Sequence, residues 1–183
     1  DWSSDVCSSD LNWNNISSRT NSFGGLKTDK TIYMFGKNDS GQLGNSTKTS
    51  KSSPIQVGSL TTWALMSAGG GFTAAIKTDG TLWTWGYNAN GTLGLGNTTY
   101  YSSPKQVGAL TNWLQVATGY FYAAAVKTNG TLWAWGYNFN GQVGNSSTLD
   151  VNSPVQIGSL TTWLKVACGR YSTYAIKTDG TLR

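Results

Sequence analysis

The stretch KTDGTLWTWGYN, Lys77 to Asn88, decides the fold. Asp79-Gly80 is one of the preferred two-residue hairpin turns, because both central residues need positive φ. Around it lie two short runs, TAAIK before and TLWTWG after, rich in residues that favour strands. The same stretch returns as KTNGTLWAWGYN from Lys127 and, in altered form, as KTDKTIYMFGKN from Lys27. A fourth occurrence, KTDGTLR, starts at Lys177. Trp13, Trp63, Trp113 and Trp163 keep a step of 50 residues, as do Pro54, Pro104 and Pro154. An undisturbed period of this length marks stacked copies of one supersecondary unit.

Each copy reads as four short strands. In the second copy the first is ALMSA from Ala64, the second TAAIK from Thr73 and the third TLWTWG. A long loop, Tyr87 to Ser103, precedes a fourth, PKQVG, from Pro104. Lys30 occupies the glycine place of the turn in the first copy, where a side chain is strained. Alternation puts Trp83 and Trp85 on one face of the third strand and Leu82 and Thr84 on the other. Both faces are apolar, as suits a sheet packed between two like neighbours. One buried indole contributes roughly 4–6 kcal/mol. Four-stranded sheets at constant period, covered on both faces, describe the blades of a β-propeller. The expectation is an all-β partial propeller of antiparallel blades, about three and a third repeats over residues 12–183, cut at both ends.

Residues 1–11, DWSSDVCSSDL, resemble the translation of a common sequencing adapter and are set aside as a non-native scar. Removing its three aspartates moves the formal net charge from +5 to +8. It also takes Cys7, leaving Cys168 alone, so no disulfide framework or thiolate cluster is expected. The remainder is rich in Trp, Tyr, Gly, Asn, Thr and Ser and has neither His nor Glu.

GTLWTWGYNANGTLG and GTLWAWGYNFNGQVG resemble the regulator of chromosome condensation repeat family. Gly69, Ala74-Ala75, Asp79-Gly80, Trp83, Trp85-Gly86, Asn88, Gly91, Leu93-Gly94 and Pro104 follow its pattern in order. The next copy follows with Asn129 for Asp and Val143 for Leu. The chain departs from it in lacking the histidine often found after the first glycine, and in having Arg19 where later copies have Gly69, Gly119 and Gly169. The resemblance implies a propeller, usually of seven blades, in a family composed mostly of interaction scaffolds. It also implies the namesake's activity, guanine-nucleotide exchange on a small GTPase, as an alternative function.

Catalysis finds little support. Without His or Glu there is no Ser-His-Asp or Cys-His unit and no His-based metal site. Asp29, Asp79 and Asp179 share a turn position that Asn129 fills equally well, as a turn former does. No enzyme and no cofactor are therefore expected. NANG and NFNG faintly resemble a calcium loop but lack its terminal Glu, and Asn-Gly turns explain them. Lys27, Lys77, Lys127 and Lys177 are expected in a ring near one rim, as solvated hairpin ends rather than phosphate contacts. Three arginines in all weigh against nucleic acid, and nothing points to a membrane.

The copies differ mainly in two connections. Strands running alternately up and down put the loop after strand one and the long loop after strand three on the same rim. There the short loops read GGGF, GYFY and GRYS, while the opposite rim repeats GSLTTW, GALTNW and GSLTTW. Varied loops on a uniform scaffold are how repeat proteins build binding surfaces. Phe72, Tyr100, Tyr101, Tyr120, Phe121, Tyr122, Arg170 and Tyr171 are the types that anchor interfaces, so they are the candidate partner-binding residues. A protein partner is expected, with a glycan stacked on the aromatics as the alternative. The near-identical copies and Asn/Thr/Ser-rich loops favour a bacterial, surface or secreted origin.

Overall fold

The computed structural model describes residues 12–183; the expectation for the adapter-like segment lies outside the described residues. Fourteen strands follow in order: β1 (Trp13–Arg19), β2 (Ser22–Lys27), β3 (Ile32–Gly36), β4 (Lys51–Gln56), β5 (Trp63–Ala68), β6 (Phe72–Lys77), β7 (Leu82–Gly86), β8 (Tyr101–Gln106), β9 (Trp113–Thr118), β10 (Tyr122–Lys127), β11 (Leu132–Gly136), β12 (Val151–Gln156), β13 (Trp163–Cys168) and β14 (Thr173–Lys177). They form three antiparallel four-stranded sheets, each in sequence order, and a two-stranded sheet from β13 and β14. These are blades 1 to 3 and the inner half of blade 4. The fourth strand starts three residues earlier than its proline suggests, because Tyr101 pairs with Gly86 across a bulge. Pro104 is tolerated there because β8 is an edge strand whose outer ladder is open.

The turns behave as read. Lys30 has φ 65°, the conformation Gly80 and Gly130 take without strain. Asp79 Oδ1 accepts from the Thr81 amide (3.0 Å) and hydroxyl (2.6 Å), and Thr81 Oγ1 accepts from Trp83 Nε1 at 2.8 Å. Asn129, Thr131 and Trp133 repeat this relay, which is why Asn replaces Asp without loss. The hydroxyl of Thr81 is the main reason the Asp79 carboxyl sits below its usual range.

Each blade has a front, facing its predecessor, and a back. Trp85 and half-buried Trp83 point forward into a core with Leu26, Ile32, Met34 and Leu43 of blade 1. Phe72, Ala74, Ile76 and Leu82 point backward, against Trp113, Ala123, Ala125 and Trp135 of blade 3. Trp85 and Trp135 are wholly buried, and their Nε1 atoms donate across the seam to the Gln42 carbonyl (2.9 Å) and the Thr92 carbonyl (3.0 Å). A Cβ at Gly44 or Gly94 would lie 2.6 or 2.8 Å from those nitrogens, so the ring closes on bare backbone. This explains the last glycine of the repeat pattern in physical terms. Asn88 holds the long loop: its Oδ1 accepts from the Leu93 amide, and its Nδ2 donates to the Asn97 and Thr99 carbonyls. Asn38 and Asn138 hold theirs in the same way.

Candidate aromatic ladder on the variable rim

The two irregular connections of each copy emerge on the same rim. Tyr87, the first residue of a long loop, stacks on Phe121 of a short loop at 4.5 Å between ring centroids. From that pair a continuous ladder extends both ways. Tyr100 lies 5.0 Å from Tyr87 on one side, Tyr120 lies 4.4 Å from Phe121 on the other, and Tyr171 lies 6.5 Å beyond Tyr120. The Arg170 guanidinium sits 4.9 Å from the Tyr120 ring and 5.2 Å from the Tyr171 ring, while Lys48 reaches within 5.9 Å of Tyr100. The ladder thus crosses blades 2, 3 and 4 and carries a cation at each end.

Five of the eight sequence candidates are brought together here: Tyr100, Tyr120, Phe121, Arg170 and Tyr171. The other three need correction. Phe72 and Tyr122 are fully buried at the first position of β6 and β10, where alternation turns the side chain into the seam between blades. The Tyr122 hydroxyl donates to the Ser172 carbonyl at 2.5 Å, and burial raises its pKa. Tyr101 is half-buried in β8 against the core between blades 2 and 3, with Lys105 over its ring. Phe72 and Tyr122 therefore support the scaffold rather than its surface, and Tyr101 lies apart from the ladder.

Tyr87 was not among the candidates because it belongs to the shared WGYN motif. The signal was the contrast with Lys37 at that place in the first copy. Its hydroxyl donates to Asn90 Oδ1 at 3.1 Å, and Asn90 Nδ2 donates to Asp150 at 2.7 Å. Burial raises the Tyr87 pKa, so the ring stays a neutral phenol throughout the physiological range. Beside the ladder lies a cleft of about 310 Å³ lined by Arg19, Lys37, Gln42, Tyr87, Tyr120 and Phe121. The Arg19 guanidinium donates to the Cys168 carbonyl at 2.7 Å, tying blade 1 to blade 4. Lys37 pairs with Asp39 at 3.2 Å.

The lysine ring of the opposite rim is more than solvated hairpin ends. Lys77 lies 3.8 Å from the Trp83 ring centroid and 5.3 Å from that of Trp63. Lys127, buried, lies 3.5 Å from Trp133 and 4.6 Å from Trp113. Burial lowers the Lys127 pKa, while the faces of both indoles attract the charged form. Lys127→Met, which keeps the apolar stem, should therefore lower stability by about 1–2 kcal/mol, read as a fall in the urea midpoint. A rise would mean that desolvation outweighs the rings. Cys168 is no better placed for chemistry. Its thiol donates to the Ala117 carbonyl at 3.5 Å, and burial pushes its pKa up to about 12, leaving little thiolate at neutral pH.

The model of the regulator of chromosome condensation (RCC1) repeat matches residues 29–76, 79–126 and 129–176. This chain belongs to that repeat family. A second model of the same repeat matches residues 63–92 and 113–142, each running from the first strand of a blade into its long loop. No curated protein matches the chain. Among solved structures, human WBSCR16 is 22% identical with a TM-score of 0.80, over 93% of this chain and 46% of that one. Saccharomyces cerevisiae Prp20p, described for its binding to Gsp1p and histones, is 22% identical with a TM-score of 0.77, over 90% and 43%. Yeast RCC1 (Prp20) bound to Kap60 is 20% identical with a TM-score of 0.79, over 95% and 43%. The RCC1-repeat chain therefore spans less than half the length of each, and at these identities the likeness concerns the fold.

Proposed function

We propose that this RCC1-repeat chain is a non-enzymatic scaffold that binds another protein through the aromatic ladder of its variable rim. The single observation that carries this reading is the convergence of Tyr100, Tyr87, Phe121, Tyr120 and Tyr171, from three blades, into one surface flanked by Arg170 and Lys48. Tyr100 and Tyr171 are exposed although each packs against a neighbouring ring, Tyr100 tilted on Tyr87 and Tyr171 edge-on to Tyr120. Rigid rings held by their own contacts lose little entropy on binding, which is what interface anchors require. Protein partners named for the yeast relative, Gsp1p and histones, are compatible with this reading at the level of the scaffold.

A photo-crosslinking phenylalanine at position 171, compared with one at Leu110 on the uniform rim, tests it. A protein captured from position 171 alone, whose affinity falls about 30-fold (some 2 kcal/mol) in Tyr120→Ala or Arg170→Ala, is the expected result. Equal capture from both rims, or affinity unmoved by either substitution, overturns the reading. Acceleration of nucleotide release from a small GTPase would replace it with exchange. Selective retention on a glycan array would replace it with carbohydrate binding.

A further inference from the structure

Gly69, Gly70 and Gly71 form the short loop of blade 2, at the place where blade 3 has Gly119, Tyr120 and Phe121. At the seam between blades 2 and 3, Phe121 fills the rim by stacking on Tyr87 of the preceding long loop. One repeat earlier, at the seam between blades 1 and 2, the same two positions hold Gly71 and Lys37. No ring pair forms there, and the cleft of about 310 Å³ opens in its place. Gly70 has no room for a side chain, since a Cβ would run into the Tyr120 carbonyl. A Cβ at Gly71 would meet only Tyr87 Cβ, at 3.5 Å, so the space above this residue is open. The walls come from loops of blades 1, 2 and 3, each a complete four-stranded sheet.

The lining combines ring surface from Tyr87, Tyr120 and Phe121 with positive charge from Lys37 and Arg19. Asp39 also lines the cleft and pairs with Lys37, but both side chains are more than half exposed, and an ion pair of that kind is weak. Arg19 donates to a neutral carbonyl, which leaves its charge unbalanced. Along the same rim Lys48 and Arg170 flank the ladder, while the Asp150 carboxylate is already engaged by Asn90 and the Asn138 amide. The rim therefore has positive charge to spare. We propose that the cleft receives one aromatic side chain of the protein partner, flanked in the partner's sequence by carboxylates. This rests on the ladder being a protein-binding surface, and adds the chemistry of what is bound there. The arriving ring takes the place that Phe121 fills at the next seam, and meets the Lys37 ammonium where Phe121 meets the ring of Tyr87. Carboxylates beside it find Arg19 and Lys37, whereas a basic neighbour would be repelled. Since Tyr87, Tyr120 and Phe121 belong to both the cleft and the ladder, one partner covers the two together.

The probe is a terminally blocked pentapeptide with tryptophan between two aspartates, titrated into the isotope-labelled full chain while amide resonances are followed. Shifts centred on Gly70 and Gly71 are expected. Affinity should fall about 10-fold or more when lysines replace the aspartates or alanine replaces the tryptophan. Lys37→Glu should weaken the acidic peptide by a similar factor and Lys37→Met by less, with circular dichroism and the urea midpoint confirming that both variants fold. Gly70 and Gly71 unmoved by millimolar peptide, equal affinity for the basic peptide, or indifference to both Lys37 variants overturns the proposal. Shifts there with chitotetraose and none with the peptide would assign the cleft to a neutral glycan and overturn it too. A protein captured from position 171 whose affinity responds to Arg170→Ala but not to Lys37→Glu keeps the ladder as an interface and overturns the role of the cleft. Peptide binding without any capture at position 171 keeps the cleft and removes the ladder.

Discussion

Replacing Trp135 by alanine is expected to lower stability by about 3–5 kcal/mol, the range for removing a fully buried indole. The ring is wholly buried, lies 6.2 Å from Trp113 and rests on Gly94, while its Nε1 donates to the Thr92 carbonyl. Removal empties the seam between blades 2 and 3 and leaves that carbonyl without its indole donor. Thr92 also reaches the rim, since its hydroxyl donates to the Phe121 carbonyl at 3.1 Å, so the ladder should loosen with the seam. Trp135→Phe fills most of the space but loses the hydrogen bond, and should cost about 1–3 kcal/mol. Trp133→Ala should cost less than Trp135→Ala, because Trp133 is only partly buried. Urea unfolding followed by far-ultraviolet circular dichroism decides it. An unchanged midpoint for Trp135→Ala would remove the indole seam from the account of what joins the blades.

Gly86→Ala should cost about 3 kcal/mol or more and disturb the candidate site directly. The residue has φ 108°, where a Cβ is strained, and an added Cβ would lie 2.6 Å from the Gly71 carbonyl oxygen and 2.7 Å from Phe72 Cα. Those are backbone atoms of the paired strand and its preceding loop, so no side chain can swing away. The same Gly71 carbonyl accepts the Tyr87 amide at 2.9 Å, which fixes where the ladder begins. The variant should therefore lose near-ultraviolet dichroism from the Tyr87–Phe121 stack along with stability. Gly108→Ala is the control: its φ is 61° but an added Cβ would meet nothing within 4 Å, and a cost of about 1–2 kcal/mol is expected. Equal effects at the two positions would show that strain alone, and not the crowding behind Gly86, sets the penalty.

Much of this was legible beforehand because the sequence states it repeatedly. One Asp-Gly turn would be weak evidence, but the same turn at Asp79, Asn129 and Asp179, with indoles at fixed offsets, leaves one way to bury the rings. The strand faces followed from alternation, and the shared rim of the irregular loops followed from antiparallel order. The start of β8 was misplaced because a bulge between Thr84 and Gly86 shifts the pairing, and local composition carries no mark of it.

The candidate site was only partly legible. Tyr120 and Tyr122 are two residues apart with the same chemistry, yet one is an inner rung of the ladder and the other fills a seam. Their fates turn on where the loop ends and β10 begins, a boundary set by pairing with Gly136. Likewise Tyr87 is part of a uniform motif, and its role comes from Phe121, 34 residues away in sequence. By itself the sequence determined the repeat, the blade, the inward indoles and the rim that varies, since periodicity and turn chemistry are local properties of the chain. Only the tertiary structure decided which aromatics meet across blades and that Lys77 and Lys127 each sit against a pair of tryptophans. The first depends on the angle and spacing between blades and the second on how three paired strands pack within one blade, and local composition encodes neither.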